Sequence, residues 1–281
     1  MEWLHRLWPA AKKKPHSIPL PTPVSLHRSD LPALANMQVG WKQNGVRVAL
    51  VFGWEEDIGV FIVKMNRKKR VLKTQYIAGK DVPDHHPDLF DGTLLDVEEM
   101  PDGRYVLLDV ITCAGKGVFV QPFQDRVHAF LSVHPTYKAL LQKYNFVIRP
   151  KHWFGTVKEA LQRKDACEDG LIFMDPSLPY GYGSDQNLKK WKTEHTIDLE
   201  CKGGKWGYMD VEGWTDASTL GIEVMHAPST DGIYECTPVR GTQWAVKMMR
   251  PDKRYANFKS TIEDALKSRE ENITLKELID V

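Results

Sequence analysis

The sequence predicts an α+β fold, and three features carry that reading. Residues 38–112 are dense in β-branched and aromatic runs divided by turn residues. Helical periodicity is confined to residues 121–164, and after residue 195 short strand-like runs recur at close spacing before a final helical stretch. Hydrophobic residues make up 42% of the 281. That is enough for a real core in one or two domains of about 100–200 residues each.

Taken in order, the first segment is punctuated by Pro19, Pro21 and Pro23, and it reads as an extended, unpaired leader over residues 1–22. "VRVALVF" and "GVFIVKM" flank "GWEEDI", which predicts a hairpin. "GTLLDVEEM" and "RYVLLDVIT" flank Pro101-Asp102-Gly103, a turn with its glycine in place. "DRVHAFLSV", "YKALLQKY" and "TVKEALQRK" are helical patterns, followed by short strands in "NFVIR" and "GLIFMD". "HTIDLECKGGKWGYMDVEG" reads as strand, Gly-Gly turn, strand. "LGIEVMHA", "GIYECTPV" and "QWAVKMM" continue a small barrel or sandwich. The chain ends in a helix capped at Ser260 or Thr261, with a further turn or two in "ITLKELI".

With 38 basic and 37 acidic residues, the global charge gives no electrostatic case for nucleic acid. Two local clusters stand out, Lys12-Lys13-Lys14 and Arg67-Lys68-Lys69-Arg70, and each reads first as a solvated tail or hairpin tip. Cys113, Cys167, Cys201 and Cys236 are far apart and predict free thiols rather than disulfides or a zinc site. No run has the apolar length to span a bilayer, and the N-terminus lacks signal-peptide order. The expectation is a soluble, intracellular protein with no membrane partner. His85-His86, Trp153, Trp206, Trp214 and Trp244 read as loop or packing residues.

Several stretches are weak alone but consistent in order. "WKQNGVR" resembles K-x-D-G-x-R, and "TLLDVE" resembles T-L-L-D-G-E. "YVLLDVITCAGKGV" resembles the strand that follows, and "EDGLIF" a D/E-G-L-I-F motif. "LKKWK" running to "TEHTIDL" is similar to L-L-K-W-K-P…T-V-D-F, and "RPDKRYAN" to R-x-D-K-x-x-P-N. Together they resemble the covalent nucleotidyltransferases, and within them the mRNA capping guanylyltransferases, across residues 23–257. Polynucleotide ligases share the earlier motifs; the last one points to capping.

The resemblance implies a nucleotidyltransferase domain over residues 23–195, an OB-fold barrel over 196–257 and a C-terminal helical segment over 258–281. It also implies a two-step reaction. Lys42 attacks the α-phosphate of GTP, and the lysyl-linked GMP then passes to 5′-diphosphate RNA. A free lysine, with a pKa of about 10.4, is nearly all protonated at neutral pH, so the site must favour the neutral amine. Arg47, Lys190 and Lys192 are the cations expected to supply that field and to offset phosphate charge. Lys190 and Lys192, at i and i+2, fall on one face of a strand. Glu98 and Arg47 are implied at the ribose, and Asp96 is implied in GTP binding. Asp169, with Asp109 assisting, is implied at Mg²⁺ or Mn²⁺. Arg250, Asp252 and Lys253 are implied at the β- and γ-phosphates, reached when the second domain closes. Arg126 and Lys151 match positions that touch phosphate, and the Arg67–Arg70 run is the candidate RNA contact.

Asn44 stands in place of the motif's aspartate, Val97 in place of a glycine and Ala256 in place of a proline. The residue that stacks on guanine is unassigned, because Leu108 and not an aromatic precedes Asp109. The rival readings are an ATP-dependent RNA or DNA ligase and a non-catalytic cap- or RNA-binding module on the same fold. A separate RNA triphosphatase and a cap methyltransferase are expected as partners. The expected location is the nucleus for a cellular protein, and host cytoplasm, viral factory or virion for a viral one.

Overall fold

β-Branched runs pair into two sheets in the first part of the chain and one in the second. The computed structural model describes residues 2–9, 18, 20–82, 89–163, 168–226 and 228–281, with backbone alone at Glu2, Trp3, Glu168 and Asp169. In chain order the first elements are α1 (Glu2–Leu7), β1 (Pro21–Ser25), β2 (Gln38–Gln43), β3 (Val46–Glu55), β4 (Gly59–Asn66), β5 (Val71–Tyr76), β6 (Thr93–Glu99), β7 (Tyr105–Cys113), β8 (Lys116–Gly117) and α2 (Phe123–Lys143). Then come β9 (Ile148–Pro150), α3 (Val157–Gln162), β10 (Glu168–Met174) and β11 (Gly183–Trp191). The last are β12 (Ile197–Lys202), β13 (Lys205–Asp210), β14 (Gly213–Asp216), β15 (Glu223–Val224), β16 (Gly232–Pro238), β17 (Gln243–Met249), α4 (Lys259–Glu271) and α5 (Leu275–Ile279). Two compact units result: Met1–Val24 with Ala33–Lys190, and Ser25–Pro32 with Trp191–Val281.

In the first unit the larger sheet runs β5-β4-β3-β6-β7-β8, with β9 beside β7. The expected hairpins β3–β4 and β6–β7 are both present. β3 is buried on both faces, so it reads as one apolar run rather than an alternation. Val48, Leu50 and Phe52 face a core that includes Phe130, Tyr137 and Leu141 of α2. Ala49 and Val51 face the opposite core, which contains Leu4, Trp8, Ile18 and Leu20. The segment read as an unpaired leader therefore packs, in its described part, against the sheet. Pro21 and Pro23 fit because β1 is the edge strand of a second sheet, ordered β1-β11-β10-β2, where an absent N–H costs no ladder bond.

Two local expectations are corrected. The patterns on either side of Pro135 form one helix, α2. A mid-helix proline costs about 3 kcal/mol, and burial of Phe130, Tyr137, Leu140 and Leu141 on the sheet outweighs it. α4 begins before Ser260, with Phe258 at its cap and no side-chain capping bond.

The second unit has one sheet, ordered β14-β13-β12-β16-β17-β15, antiparallel except where β15 meets β17. Gly203 and Gly204 close the β12–β13 hairpin at φ of 55° and 78°, the left-handed pair that a two-residue turn requires. Trp206, Tyr208, Trp244 and Ile262 of α4 fill its core. The fold is of the expected α+β class, with C-terminal helices after the last sheet. Cys113, Cys201 and Cys236 are buried free thiols. Lys12-Lys13-Lys14, His85-His86 and Cys167 lie outside the described residues. No helix among the described residues is long and apolar enough to cross a membrane.

Candidate active site

Lys42 occupies a break in pairing. On β2, Trp41 opposes Leu171 and Gln43 opposes Glu168 of β10, so Asp169 and Gly170 together face the single position of Lys42. Gly170 takes a φ of 117° to make this bulge. The strand is anchored on both sides of Trp41. The Trp41 indole donates to the Ala160 carbonyl at 3.0 Å, and Lys151 Nζ donates to the Trp41 carbonyl. The chain then turns at Asn44-Gly45. A Cβ on Gly45 would sit 2.5 Å from the Glu99 carbonyl oxygen, so the glycine is needed for close approach to β6. Its N–H donates to Glu98 Oε1 at 2.9 Å, which fixes that carboxylate beside the turn.

Strand register sets the next layer. Arg47 opposes Glu98, and two residues along the same face Ala49 opposes Asp96. Arg47 donates from Nε to Asp96 Oδ1 at 2.8 Å, from Nη2 to Asp96 Oδ2, and from Nη1 to the Pro21 carbonyl. Asp96 is fully buried and also accepts the Tyr180 hydroxyl at 2.7 Å. Burial opposes the charge on Arg47, but Asp96 outweighs it and holds the guanidinium protonated. Burial and Asp96 likewise push the Tyr180 phenol well up, so it stays a donor.

Directly across the β6–β7 ladder, Asp109 opposes Asp96. Two buried carboxylates side by side would repel, but each has its own arginine. Arg126 donates to Asp109 from Nε at 2.8 Å and from Nη2 at 2.7 Å, and its Nη1 reaches the carbonyls of Gln121 and Leu178. Burial, with Asp96 adding, pushes the Asp109 carboxyl up to about 6 against the pull of Arg126. At neutral pH the pair is still ionic.

These residues line one cleft of about 220 Å³, shared by Lys42, Arg47, Asp96, Glu98, Asp109 and Lys151. Leu108, Trp153, Ile172, Met174, Tyr180 and Leu188 complete its walls, an apolar slot suited to a flat base. The Lys151 ammonium lies 5.2 Å from the Trp153 ring centroid. Sequence reasoning read Trp153 as packing and missed Tyr180 and Leu188; a lone tryptophan or tyrosine carries no spacing code.

The remaining candidates are divided between the two units. Lys190 is on β11 two residues past Leu188, on the same strand face. Lys192 follows the end of β11 and belongs to the second unit. Arg250, Asp252 and Lys253 are in that unit too. Arg250 bonds Asp252 through two 2.9 Å contacts and reaches Asp198 at 3.1 Å and Glu235 at 3.3 Å. Lys253 pairs with Asp198 at 3.2 Å. Arg250 holds the Asp252 carboxyl down to about 2. Arg67–Arg70 form the β4–β5 turn, where Arg67 turns inward to the Thr22 hydroxyl and the Leu20 carbonyl. The Asp169 side chain lies outside the described residues.

A lysine at a strand break, lining a cleft backed by arginine–carboxylate pairs, defines a nucleotidyltransferase. The family model "mRNA capping enzyme, catalytic domain" matches residues 4–194, and "mRNA capping enzyme, C-terminal domain" matches residues 176–279. The chain belongs to the mRNA capping enzyme family, and its activity is the guanylyl transfer of mRNA capping. It is 25% identical to the mRNA-capping enzyme subunit alpha of Schizosaccharomyces pombe, over 94% of this chain and 80% of that one. It is 22% identical to the subunit of the same name from Yarrowia lipolytica, over 85% and 74%. Among solved structures, the ATP-dependent DNA ligase from bacteriophage T7 in complex with ATP covers 82% of this chain and 98% of its own, at 13% identity and a TM-score of 0.47.

Proposed function

We propose that Lys42 is the nucleophile of a two-step GTP:RNA guanylyltransfer. The observation that supports this most is its place opposite the β10 bulge, lining the same cleft as Arg47 and Glu98. In the first step Lys42 Nζ bonds the α-phosphorus of GTP, the bond to the bridging oxygen breaks, pyrophosphate leaves and the amine gives up a proton. In the second step a β-phosphate oxygen of 5′-diphosphate RNA bonds that phosphorus, the P–N bond breaks and the amine regains a proton.

Glu98 holds the Gly45 N–H with one oxygen and offers the other to a ribose hydroxyl. Arg47, fixed by Asp96, presents a permanent positive wall; Lys190 and Lys192 are assigned to phosphate charge. The apolar slot takes the base. For Arg250, Asp252 and Lys253 the resemblance implies the departing phosphates, and a cluster of two cations suits an anion. Enzymes of this family act with GTP and are generally metal-dependent; we assign Mg²⁺ or Mn²⁺. Among the described residues no group of three His, Cys, Asp or Glu is gathered for a metal. Such ions are commonly held by one or two carboxylates plus substrate phosphates. Asp169 is the assigned carboxylate, since Asp109 is committed to Arg126. Bound there, the ion neutralises charge on the transferring phosphate.

We assign the nucleotidyltransferase domain to residues 23–195 and the OB-fold to 196–257. The relatives' name, subunit alpha, supports a partner subunit, and we assign RNA 5′-end trimming and cap methylation to separate chains. The test is incubation with α-labelled GTP or ATP and Mg²⁺, resolved on a denaturing gel. GTP-dependent, acid-labile label that disappears in Lys42→Ala is expected. Labelling by ATP alone points to a ligase, and label retained in Lys42→Ala moves the nucleophile elsewhere.

A further inference from the structure

The outer face of the second unit's sheet carries side chains that neither its core nor the GTP chemistry uses. On β13, Trp206 and Tyr208 point into the core, so Gly207 and Met209 point outward. Met209 is flanked across the sheet on both sides, by Trp214 of β14 and by a bridge to Phe258. Trp214 lies flat on the backbone of Gly207: a Cβ there would sit 2.2 Å from its indole ring. Phe258 is 54% exposed and Tyr255 52%. A row Trp214–Met209–Phe258, with Tyr255 three residues before Phe258, is thus an aromatic shelf spanning about 10 Å between its outer members, two strand spacings.

Cations edge this shelf. Lys202 Nζ lies 6.0 Å from the Trp214 ring centroid and the Arg254 guanidinium 5.5 Å from that of Tyr255. Lys259 adjoins Phe258 in sequence. Glu200, 3.0 Å from Lys202, and Asp210, 3.7 Å from Lys259, offset part of that charge. The shelf also continues into the cation loop. The Met209 N–H donates to the Asn257 carbonyl at 3.0 Å, and the Asn257 N–H donates to the carbonyl of Asp198, the partner of Arg250 and Lys253.

We propose that this face, centred on Trp214 and Phe258, binds the first nucleotides of the acceptor RNA as a single strand. The proposal rests on the guanylyltransferase reading and adds where its second substrate is held. The exposed rings of Phe258 and Tyr255 and the half-buried face of Trp214, beside lysine and arginine, match the chemistry of an unpaired strand, whose bases stack and whose phosphates take cations. In OB-folds the face of the second and third strands is the oligonucleotide side, and β13 and β14 are those strands here. With two of the cations partly offset by acids, stacking dominates and the salt dependence is shallow.

The test uses the full chain and a short 5′-diphosphate single-stranded RNA, with binding read by fluorescence anisotropy and GMP labelling read in parallel. Phe258→Ala, and separately Trp214→Ala, are expected to weaken RNA binding by about tenfold each, with GMP labelling from GTP unchanged. Trp214→Phe is expected to restore most of the affinity. A 4-thiouridine RNA is expected to crosslink to a peptide within residues 205–216 or 254–259 of the wild type, which reads the contact without any variant. Unchanged RNA affinity in variants that label normally, or crosslinks confined to other peptides, overturns the proposal. Absence of GMP labelling in the wild type would instead count against the guanylyltransferase reading and leave the RNA measurement interpretable.

Discussion

Asp96→Asn is the perturbation whose consequences the geometry fixes most tightly. The wild-type carboxylate is fully buried, takes two donors from Arg47 and one from Tyr180, and stands opposite Asp109. Asparagine keeps the volume and can still accept from Tyr180, so the loss isolates the charge. Removing one partner of a buried ion pair typically costs about 3–5 kcal/mol, because the other charge is left uncompensated. In a domain of this size each kcal/mol lowers Tm by about 2–4 °C, so a fall of about 6–20 °C is expected. Thermal melting of the full chain, followed by circular dichroism, measures that fall, and urea denaturation measures the free-energy loss. The attribution is checked by a cycle with Arg47→Met. The double variant is expected to be more stable than the sum of the single losses by about 1–3 kcal/mol. Strict additivity, or an Asp96→Asn loss under 1 kcal/mol, would refute the argument that this pair organises the cleft.

Three further outcomes follow from the same geometry. The Asp109 carboxyl titrates near 6 in the fold against about 3.9 unfolded. Its contribution is therefore fully present below pH 4 and is lost as pH rises through 6. The stability of wild type relative to Asp109→Asn should fall between pH 4 and 6.5 in denaturant titrations. Asp198→Asn releases Arg250 and Lys253 from their shared partner; the GTP concentration for half-maximal GMP labelling should rise about tenfold, the equivalent of one charged hydrogen bond. Gly45→Ala pushes a methyl against the Glu99 carbonyl and the Glu98 side chain. Overpacking of about 1–3 kcal/mol should appear as a lower Tm, with GMP labelling reduced at least tenfold.

Much of this was legible in the chain. The β3–β4 and β6–β7 hairpins, the Gly203-Gly204 turn and the C-terminal helix each carry their signal within a few residues, as turn chemistry or a short period. The ordered motifs singled out Lys42, Arg47 and Glu98, which line one cleft, before any register was known. What stayed hidden depends on contacts distant in sequence. That Asp96 is the partner of Arg47 follows from the β3–β6 register, and that Asp109 belongs to Arg126 follows from where α2 begins against β7. Neither can be read from spacing. The close approach of Gly45 to β6 is likewise a contact that spacing does not show. The N-terminal segment misled because prolines signal unpaired chain, yet an edge strand accepts them. Pro135 misled for a related reason: the burial of α2 outweighs a local break.

The central claim is that one particular amine becomes bonded to phosphorus. Its most direct test is mass spectrometry of the protein after incubation with GTP and Mg²⁺, with digestion kept away from acid to preserve a P–N bond. The account predicts the added mass of GMP on the peptide containing Lys42. GMP found on another lysine, or on none while capped RNA still forms, would contradict it.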